Sequence, residues 1–291
     1  MSQTAFLDKT LRAVAHVAEQ TLFSEAFARR RGLLQSLDAR IKLFSLFFLI
    51  MVASLARTPQ VLWLLCAAAL GLAALSRVPF WFFIKRAWLF VPFFSAVIVL
   101  PALFNIVTPG DPLWVVLRLD QAHSWGPYTI PQEIAVTRQG LWGAVIFVSR
   151  VTASVSFAVL LTLTTKWDRI FAGLRALMVP RIFVMTLSMT ERYLFVFLRL
   201  IQDMYRGRKS RTIRPLSNAS ERGWIASRIG VTFKRSVELS NDIYRAMLSR
   251  GYQGDMVMLD RFHAGVADYL WVVTSVAFGV IILLFERRIL L

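Results

Sequence analysis

The chain has 291 residues, of which 57% are apolar and 23 are phenylalanine, and its formal net charge at pH 7 is +17. With a mean hydropathy of +0.57, this composition exceeds what the core of a soluble protein of this length uses, so it excludes most soluble folds and predicts an integral membrane protein. The single cysteine, Cys66, lies inside an apolar run. It excludes an intrachain disulfide and argues against a cysteine-based metal site.

The first forty residues lack the uninterrupted apolar stretch and the small-residue cleavage site of a signal peptide. From Leu7 to Leu22, apolar residues recur every three or four positions, with charged and polar residues between them. This spacing predicts an amphipathic helix, which lies either on the membrane or a partner, or over this protein's own helices. We therefore expect residues 1–40 to form a cytoplasmic N-terminal arm.

Five apolar segments are candidates for helices that cross about 30 Å of hydrocarbon. They cover residues 43–56, 61–75, 80–104, 141–164 and 266–285. The first two are short and are separated by a turn that contains Pro59, which fits a tight antiparallel hairpin. The third contains Pro92 and Pro101, which remove backbone donors and should kink the helix.

A further apolar segment, residues 182–201, is interrupted by Glu191, Arg192 and Arg199. It is either a sixth buried membrane helix or a helix that lies near the interface. A long amphipathic helix is expected after it, from about residue 222 to 248, with Gly251 placed as a left-handed C-cap.

Positive charge is concentrated between residues 166 and 262, which hold eighteen Lys and Arg against eight Asp and Glu. The loop 105–138 is rich in turn-forming residues and holds two Arg against three acids. The positive-inside rule then places the loop outside and the basic segment in the cytoplasm. Arg287 and Arg288, at the end of the last span, would lie outside, against this rule.

The chain is thus expected to divide into four parts. These are the arm (1–40), four membrane helices with the external loop (41–165), basic cytoplasmic or interfacial helices (166–262) and a C-terminal membrane helix (263–291). The predicted fold class is an all-α membrane protein, a bundle of five or six transmembrane helices with a basic cytoplasmic helical extension.

Two kinds of chemistry have no sequence support. The chain contains no Gly-x-x-x-x-Gly-Lys-Ser/Thr phosphate loop, so it is not expected to hydrolyse nucleotide by that route. Its three histidines, His16, His123 and His263, have no His or Cys three to five residues away, so no metal site is expected from them. No nucleic-acid-binding motif is recognisable, and nucleic acid is not expected as a partner.

Three groups of residues carry a resemblance to a known family. The first is the segment 32–43, whose signature residues are Leu37, Asp38, Arg40 and Lys42. The second is Arg150, a charge inside the fourth span, and the third is Ser249-Arg250-Gly251 at the end of the amphipathic helix. Together they resemble the transmembrane T components of energy-coupling-factor (ECF) ABC transporters, and within them the CbiQ-like cobalt and nickel branch.

T components carry two X-Arg-X coupling motifs, and Ser249-Arg250-Gly251 resembles the second of them. The first should lie roughly forty residues earlier. Ser210-Arg211-Thr212 lies thirty-nine residues earlier, although its last residue departs from the commoner Ala-Arg-Gly form. Arg206-Gly207-Arg208 is a competing register for this first motif.

The resemblance implies a non-catalytic scaffold and energy-coupling subunit of an importer for cobalt or nickel, in a setting of cobalamin biosynthesis. The implied partners are two cytoplasmic ABC ATPase subunits, the lipid bilayer and a CbiM-like substrate-binding membrane subunit, alone or with a small CbiN-like subunit. It further implies that this chain binds no cofactor or metal, that the partner subunits use ATP, and that the protein is a multi-pass protein of the cell inner membrane.

Other interpretations remain open at this level. The protein could be an autonomous carrier or channel for a small ion, or a surface module whose basic face binds acidic lipid. Arg250 could satisfy the carbonyls of its own helix or contact lipid phosphates. Asp38 could cap the first membrane helix or pair with Arg40, and Arg150 could be paired inside the bundle or extend to the interface.

Overall fold

The computed structural model describes residues 27–28, 30, 32–105, 107–118, 123–125, 128–130, 133–211, 218–254 and 265–290. The chain forms two compact units. We call the described parts of Phe27–Lys166 and His263–Leu291 the bundle unit, and the described part of Trp167–Phe262 the basic unit. The expected amphipathic helix between Leu7 and Leu22, together with His16, His263 and Thr212, lies outside the described residues.

The all-α fold class is confirmed, with the bundle unit built from apolar helices around one core. Its helices are α1 (Leu33–Ser36), α2 (Ala39–Leu55), α3 (Pro59–Leu75), α4 (Phe80–Ile84), α5 (Val91–Val99), α6 (Arg138–Thr164) and α10 (Val266–Leu290). Helix α6 packs against α2, α3 and α5, and α10 packs against α2. The core between them is aliphatic with single aromatic residues, such as Leu46, Leu65 and Phe157.

Three of the described helices are long and apolar enough to cross a membrane: Phe80–Leu103, Arg138–Thr164 and Val266–Arg288. Helices α2 and α3 have 17 residues each, which corresponds to about 26 Å and is short for a perpendicular span. Pro59 occupies the first turn of α3 after Thr58, where a missing backbone N–H costs nothing. The Gln35 side chain, just before α2, donates to the carbonyl of Ser76, just after α3, at 2.9 Å, so α2 and α3 form the antiparallel hairpin expected from the sequence.

The third span is irregular, as its two prolines predict. Helix α4 passes into a π-helical turn over Lys85–Phe90, then α5, and then a 3₁₀ turn over Leu100–Leu103. Pro92 has no N–H to offer the carbonyl of Trp88, so the regular α-helical ladder is interrupted there. The kink is thus distributed over a widened turn before Pro92 and a tightened turn at Pro101.

The loop 105–138 contains strands that the sequence interpretation did not include. Strand β1 (Pro112–Arg118) pairs antiparallel with β4 (Glu133–Thr137), and β2 (His123–Trp125) pairs antiparallel with β3 (Tyr128–Ile130). The many turn-forming residues mark the ends of these short strands rather than an irregular loop. Thr137 ends β4 and caps α6 by accepting a hydrogen bond from the Gly140 N–H at 3.1 Å.

The basic unit consists of helices with little buried surface. It contains α7 (Trp167–Leu174), a 3₁₀ turn (Arg175–Leu177), α8 (Arg181–Arg211) and α9 (Asn218–Ser249). The apolar segment 182–201 lies within α8, where Val184 is the only buried side chain among those described. Within this chain, α8 is therefore not a sixth helix of a buried core.

Gly279 on α10 marks a close approach to α2. A Cβ atom at this position would lie 2.6 Å from Phe48 Cε1 and 3.0 Å from Val52 Cγ2. We expect Gly279→Leu to force α10 away from α2 and to lower the free energy of unfolding by about 1–3 kcal/mol. Thermal unfolding of the detergent-solubilised protein measures this change. Gly71→Leu is the matched control, because a Cβ there meets nothing within 4 Å; equal losses from both variants would contradict the close approach.

Candidate functional site

Helices α8 and α9 run antiparallel and enclose an apolar groove between them. The groove has a volume of about 730 Å³. Tyr252, just after α9, contacts Met185 near the start of α8, whereas Arg208 near the end of α8 lies against Trp224 near the start of α9. The C-terminal end of each helix therefore lies beside the N-terminal part of the other.

Arg250 follows the last residue of α9, in a fully formed helix C-cap. The Tyr252 N–H donates to the Met247 carbonyl at 3.0 Å, and the Gly251 N–H donates to the Leu248 carbonyl at 3.0 Å. Gly251 has a φ of 81°, the left-handed conformation that glycine adopts without steric cost. This is the Schellman motif, and it confirms the C-cap expected at Gly251.

The turn that carries Arg250 is anchored to α8. The Tyr252 hydroxyl donates to the Met185 sulfur at 3.1 Å, so the residue after the cap is fixed to the groove. The Ser249 hydroxyl donates back to the Arg245 carbonyl at 2.9 Å, so its hydrogen is already used within its own helix. The Arg250 N–H donates to the Met247 carbonyl at 3.1 Å, whereas its side chain is exposed and has no hydrogen bond or ion pair with another described residue.

Arg211 is the last residue of α8 and is exposed like Arg250. Its side chain too has no hydrogen bond or ion pair within the part of the chain that the structure describes. The preceding Ser210 hydroxyl donates to the Gly207 carbonyl at 3.0 Å. Helix α8 thus presents Arg211 at its C-terminal end, and Thr212 follows outside the described residues.

The competing register, Arg206-Gly207-Arg208, lies one turn inside α8, and its arginines have partners. The Arg206 guanidinium lies 3.8 Å from the Asp203 carboxylate. The Arg208 guanidinium lies 4.5 Å from the centre of the Trp224 ring, a cation–π distance. The Arg211 side chain has no such contact among the described residues, and the register of the first motif stays a prediction.

Arg211 and Arg250 lie at opposite ends of the antiparallel pair. Tyr252 holds the Arg250 turn near Met185, close to the start of α8, whereas Arg211 is the last residue of that helix. Helix α8 has 31 residues, which corresponds to an axis of about 46 Å. Most of this length separates the two arginines, so the arrangement suits two separate binding events rather than one small partner surface.

In the bundle unit, Arg150 and Lys42 each bind the C-terminal end of the opposite helix. The Arg150 Nη2 donates to the Ala56 carbonyl at the end of α2, at 2.8 Å. The Lys42 Nζ donates to the carbonyl of Thr164, the last residue of α6, at 3.2 Å. Lys42 and Ala56 are separated by as many residues as Arg150 and Thr164. The two contacts therefore belong to one antiparallel alignment of α2 with α6.

The other signature residues are part of the packing at the start of α2. Asp38 is the N-cap, because its carboxylate accepts from the Arg40 N–H at 2.9 Å, as the capping interpretation expected. Leu37 is buried in the core cluster. Arg40 is exposed and also has a partner.

Two buried carboxylates, Asp268 and Glu286, were missed by the sequence interpretation. Asp268 accepts from the Asp38 N–H at 2.8 Å, at the N-terminal end of α2. Glu286 accepts from the N–H groups of Arg57 and Thr58 at 2.5 and 2.6 Å, at the N-terminal end of α3. Each is 5% exposed. Their position at the two ends of an otherwise apolar span is the signal that could have identified them.

The Ala56–Arg57 peptide is therefore held from both sides. Its carbonyl accepts from Arg150 and its N–H donates to Glu286. Asp268 near the start of α10 contacts residue 38 at the start of α2, and Glu286 near the end of α10 contacts residue 57 just after the end of α2. Helices α10 and α2 therefore run parallel.

In the part of the chain that is described, no group of three or more His, Cys, Asp or Glu is arranged to hold a metal ion.

Comparison with known proteins gives the family. Residues 31–259 match the sequence model of the family described as CbiQ, cobalt transport protein. The chain belongs to the CbiQ family. The match begins before the signature residues of α2 and ends beyond Gly251, so it contains both candidate X-Arg-X motifs.

A relative supports the same extent of similarity. The chain is 32% identical over 283 residues to the uncharacterized protein MJ1571 of Methanocaldococcus jannaschii, and the alignment covers 97% of this chain and 93% of the relative. As a CbiQ family member with apolar membrane helices, this protein is a membrane component of cobalt transport, and the family works in transporter complexes with other subunits.

The positive φ of Gly251 makes the cap of this CbiQ protein sensitive to a side chain. We expect Gly251→Val to cost about 1–2 kcal/mol of local strain and to fray the last turn of α9, because a β-branched residue does not tolerate φ = 81°. Faster hydrogen exchange at the amides of Gly251 and Tyr252 measures this effect. Gly230→Val, in the middle of the same helix, should leave the cap amides unchanged; protection retained in the Gly251 variant would contradict the prediction.

Proposed function

We propose that this protein is the transmembrane scaffold and energy-coupling subunit of an ECF-type ABC importer for cobalt or nickel. The observation that supports this proposal best is the presentation of Arg211 and Arg250. Both are exposed, both stand at the C-terminal end of a long helix, and neither side chain has a hydrogen bond or ion pair with a described residue. Two cytoplasmic ABC ATPase subunits would each receive one of these ends.

The chemistry of the two ends suits binding to a protein groove. An arginine at a helix C-terminus is favoured by the helix dipole and offers five donors in a planar fork, which fits carboxylates and carbonyls. At Arg250 the carbonyls of Met247 and Leu248 are already satisfied by the Schellman motif. These two carbonyls therefore do not need the guanidinium, which weakens the interpretation that it only caps α9.

The apolar groove between α8 and α9 is the surface we assign to the substrate-binding membrane subunit. Its lining is dominated by aliphatic, methionine and aromatic side chains such as Met189, Leu194 and Leu239. Large exposed apolar side chains on both helices, including Phe183 and Ile229, exceed what a solvated helix pair carries. In this proposal cobalt or nickel is bound by that subunit, and ATP is bound by the ATPase subunits.

The proposed mechanism is a shear of α8 against α9. Closing of the two ATPase subunits on ATP would displace the helix ends at Arg211 and Arg250, which lie at opposite ends of the pair. Long helices with few buried contacts can slide while they keep their hydrogen bonds. The groove between them would change shape and tip the substrate-binding subunit between outward and inward access. The basic unit would lie on the cytoplasmic side of the cell inner membrane.

Charge reversal of each arginine tests the ATPase contacts. The tagged protein, expressed with its neighbouring subunits, is purified as wild type, Arg250→Glu and Arg211→Glu, and the co-eluting proteins and their ATPase rate are measured. We expect each reversal to weaken ATPase retention by about 2–5 kcal/mol, because a buried charge contact becomes repulsive. Arg235→Glu, an exposed arginine of α9 far from both ends, is the matched control.

The outcomes separate the possible functions. Loss of the ATPase from Arg250→Glu and Arg211→Glu, but not from Arg235→Glu, supports the coupling role and the Ser210-Arg211-Thr212 register. Retention in Arg211→Glu alone, with loss in an Arg206→Glu variant, would move the first motif to the competing register. A wild-type protein that never retains an ATPase would refute the scaffold and favour an autonomous carrier or channel for a small ion.

A groove variant tests the assignment of the substrate-binding subunit. Leu239 lines the groove, whereas the nearby apolar Val237 is exposed and does not line it. We expect Leu239→Arg to release the substrate-binding subunit while the ATPase subunits remain, because an unpaired charge is placed against an apolar partner surface. Val237→Arg should leave the complex intact. Equal release by both variants, or by neither, would contradict the assignment to the groove.

A further inference from the structure

The connection between α6 and α7 is short. Thr164 ends α6, Trp167 begins α7, and only Thr165 and Lys166 lie between them. An extended chain spans at most about 3.6 Å per residue, so two residues absorb little displacement. The chain therefore passes from the bundle unit to the basic unit with only two residues outside a helix.

The last turn of α6 is held to α2 by Lys42. Its ammonium donates to the Thr164 carbonyl at 3.2 Å, and the lysine is 3% exposed. The final carbonyls of a helix have no partner within the helix and lie at the negative end of its dipole, so a cation there is doubly favourable. A lysine buried to this degree is otherwise costly, which indicates a specific role for its charge.

We propose that Lys42 is a positioning residue for energy coupling. By holding the last carbonyl of α6 against α2, it makes a displacement of the basic unit move the bundle as a whole rather than unwind the end of α6. This proposal rests on the coupling function proposed above. Without Lys42, the last turn of α6 would yield, and ATP would be hydrolysed with less transport.

Arg150 provides a comparison within the same helix pair. It makes the same kind of bond, a cation on a helix-end carbonyl, between the same two helices. It lies near the middle of α6, about 21 Å along the helix axis from the junction with α7. A residue that only stabilises the packing of α2 on α6 would behave alike at both positions, whereas a coupling residue acts only at the junction.

The test uses the intact transporter, purified with its ATPase and substrate-binding subunits and reconstituted in liposomes. ATP hydrolysis and uptake of radioactive cobalt are measured together for wild type, Lys42→Met and Arg150→Met. We expect Lys42→Met to assemble and to hydrolyse ATP normally but to import roughly five- to tenfold less cobalt per ATP. Arg150→Met should lower the unfolding temperature and leave cobalt imported per ATP unchanged.

The ratio of uptake to hydrolysis decides the outcome. If Lys42→Met does not accumulate, Lys42→Gln, which keeps an N–H donor without the charge, is measured in the same way, and a lowered ratio supports the proposal. An unchanged ratio in the Lys42 variants, or an equal fall in Arg150→Met, overturns it. A wild-type complex without ATP-driven cobalt uptake would instead refute the proposed function, and this result is seen before any variant is compared.

Discussion

The bundle unit depends on one constraint, which is that backbone groups at helix ends must find partners where lipid offers none. Four charged side chains provide these partners. Each belongs to one helix and binds a backbone group at the end of another. Lys42 and Arg150 donate to carbonyls at C-terminal ends, and Asp268 and Glu286 accept from N–H groups at N-terminal ends. In every case the sign of the charge matches the sign of the helix dipole. The charges are thus connections between helices.

These connections explain why short helices suffice. The 17-residue α2 is tied to α6 by Lys42 near one end and by Arg150 just past the other, and to α10 by Asp268 and Glu286 at the corresponding positions. A frame fixed at both ends resists shear between its helices. Helices α8 and α9 have no comparable set of buried charges among their described residues, and apolar surfaces line the groove between them. In the proposed mechanism, the bundle unit is therefore the fixed part, and α8 and α9 are the part that slides.

The sequence predicted the features that follow from local chemistry. Three of these features are the Gly251 cap, the Asp38 cap and the hairpin at Pro59. Each depends on residues close together in the chain, so a local sequence pattern is enough to predict it. Glu286 and Asp268 were missed because their partners lie near the opposite end of the chain, and no local pattern marks a carboxylate that caps a helix so distant in sequence. The strands of the loop 105–138 were missed because hydrophobic periodicity is hard to recognise in such short segments.

The contrast between Arg150 and Arg250 shows how one residue type serves two purposes. At the end of α2 the Ala56 carbonyl is satisfied by a cation from another helix, and Arg150 is thereby committed to the bundle. At the end of α9 the turn through Gly251 satisfies the carbonyls with backbone N–H groups instead. The glycine thus reduces the helix's own need for a cation, and the Arg250 side chain stays exposed. A partner that offers carboxylates or carbonyls meets an arginine that has no internal bond to break, which lowers the cost of binding at that end.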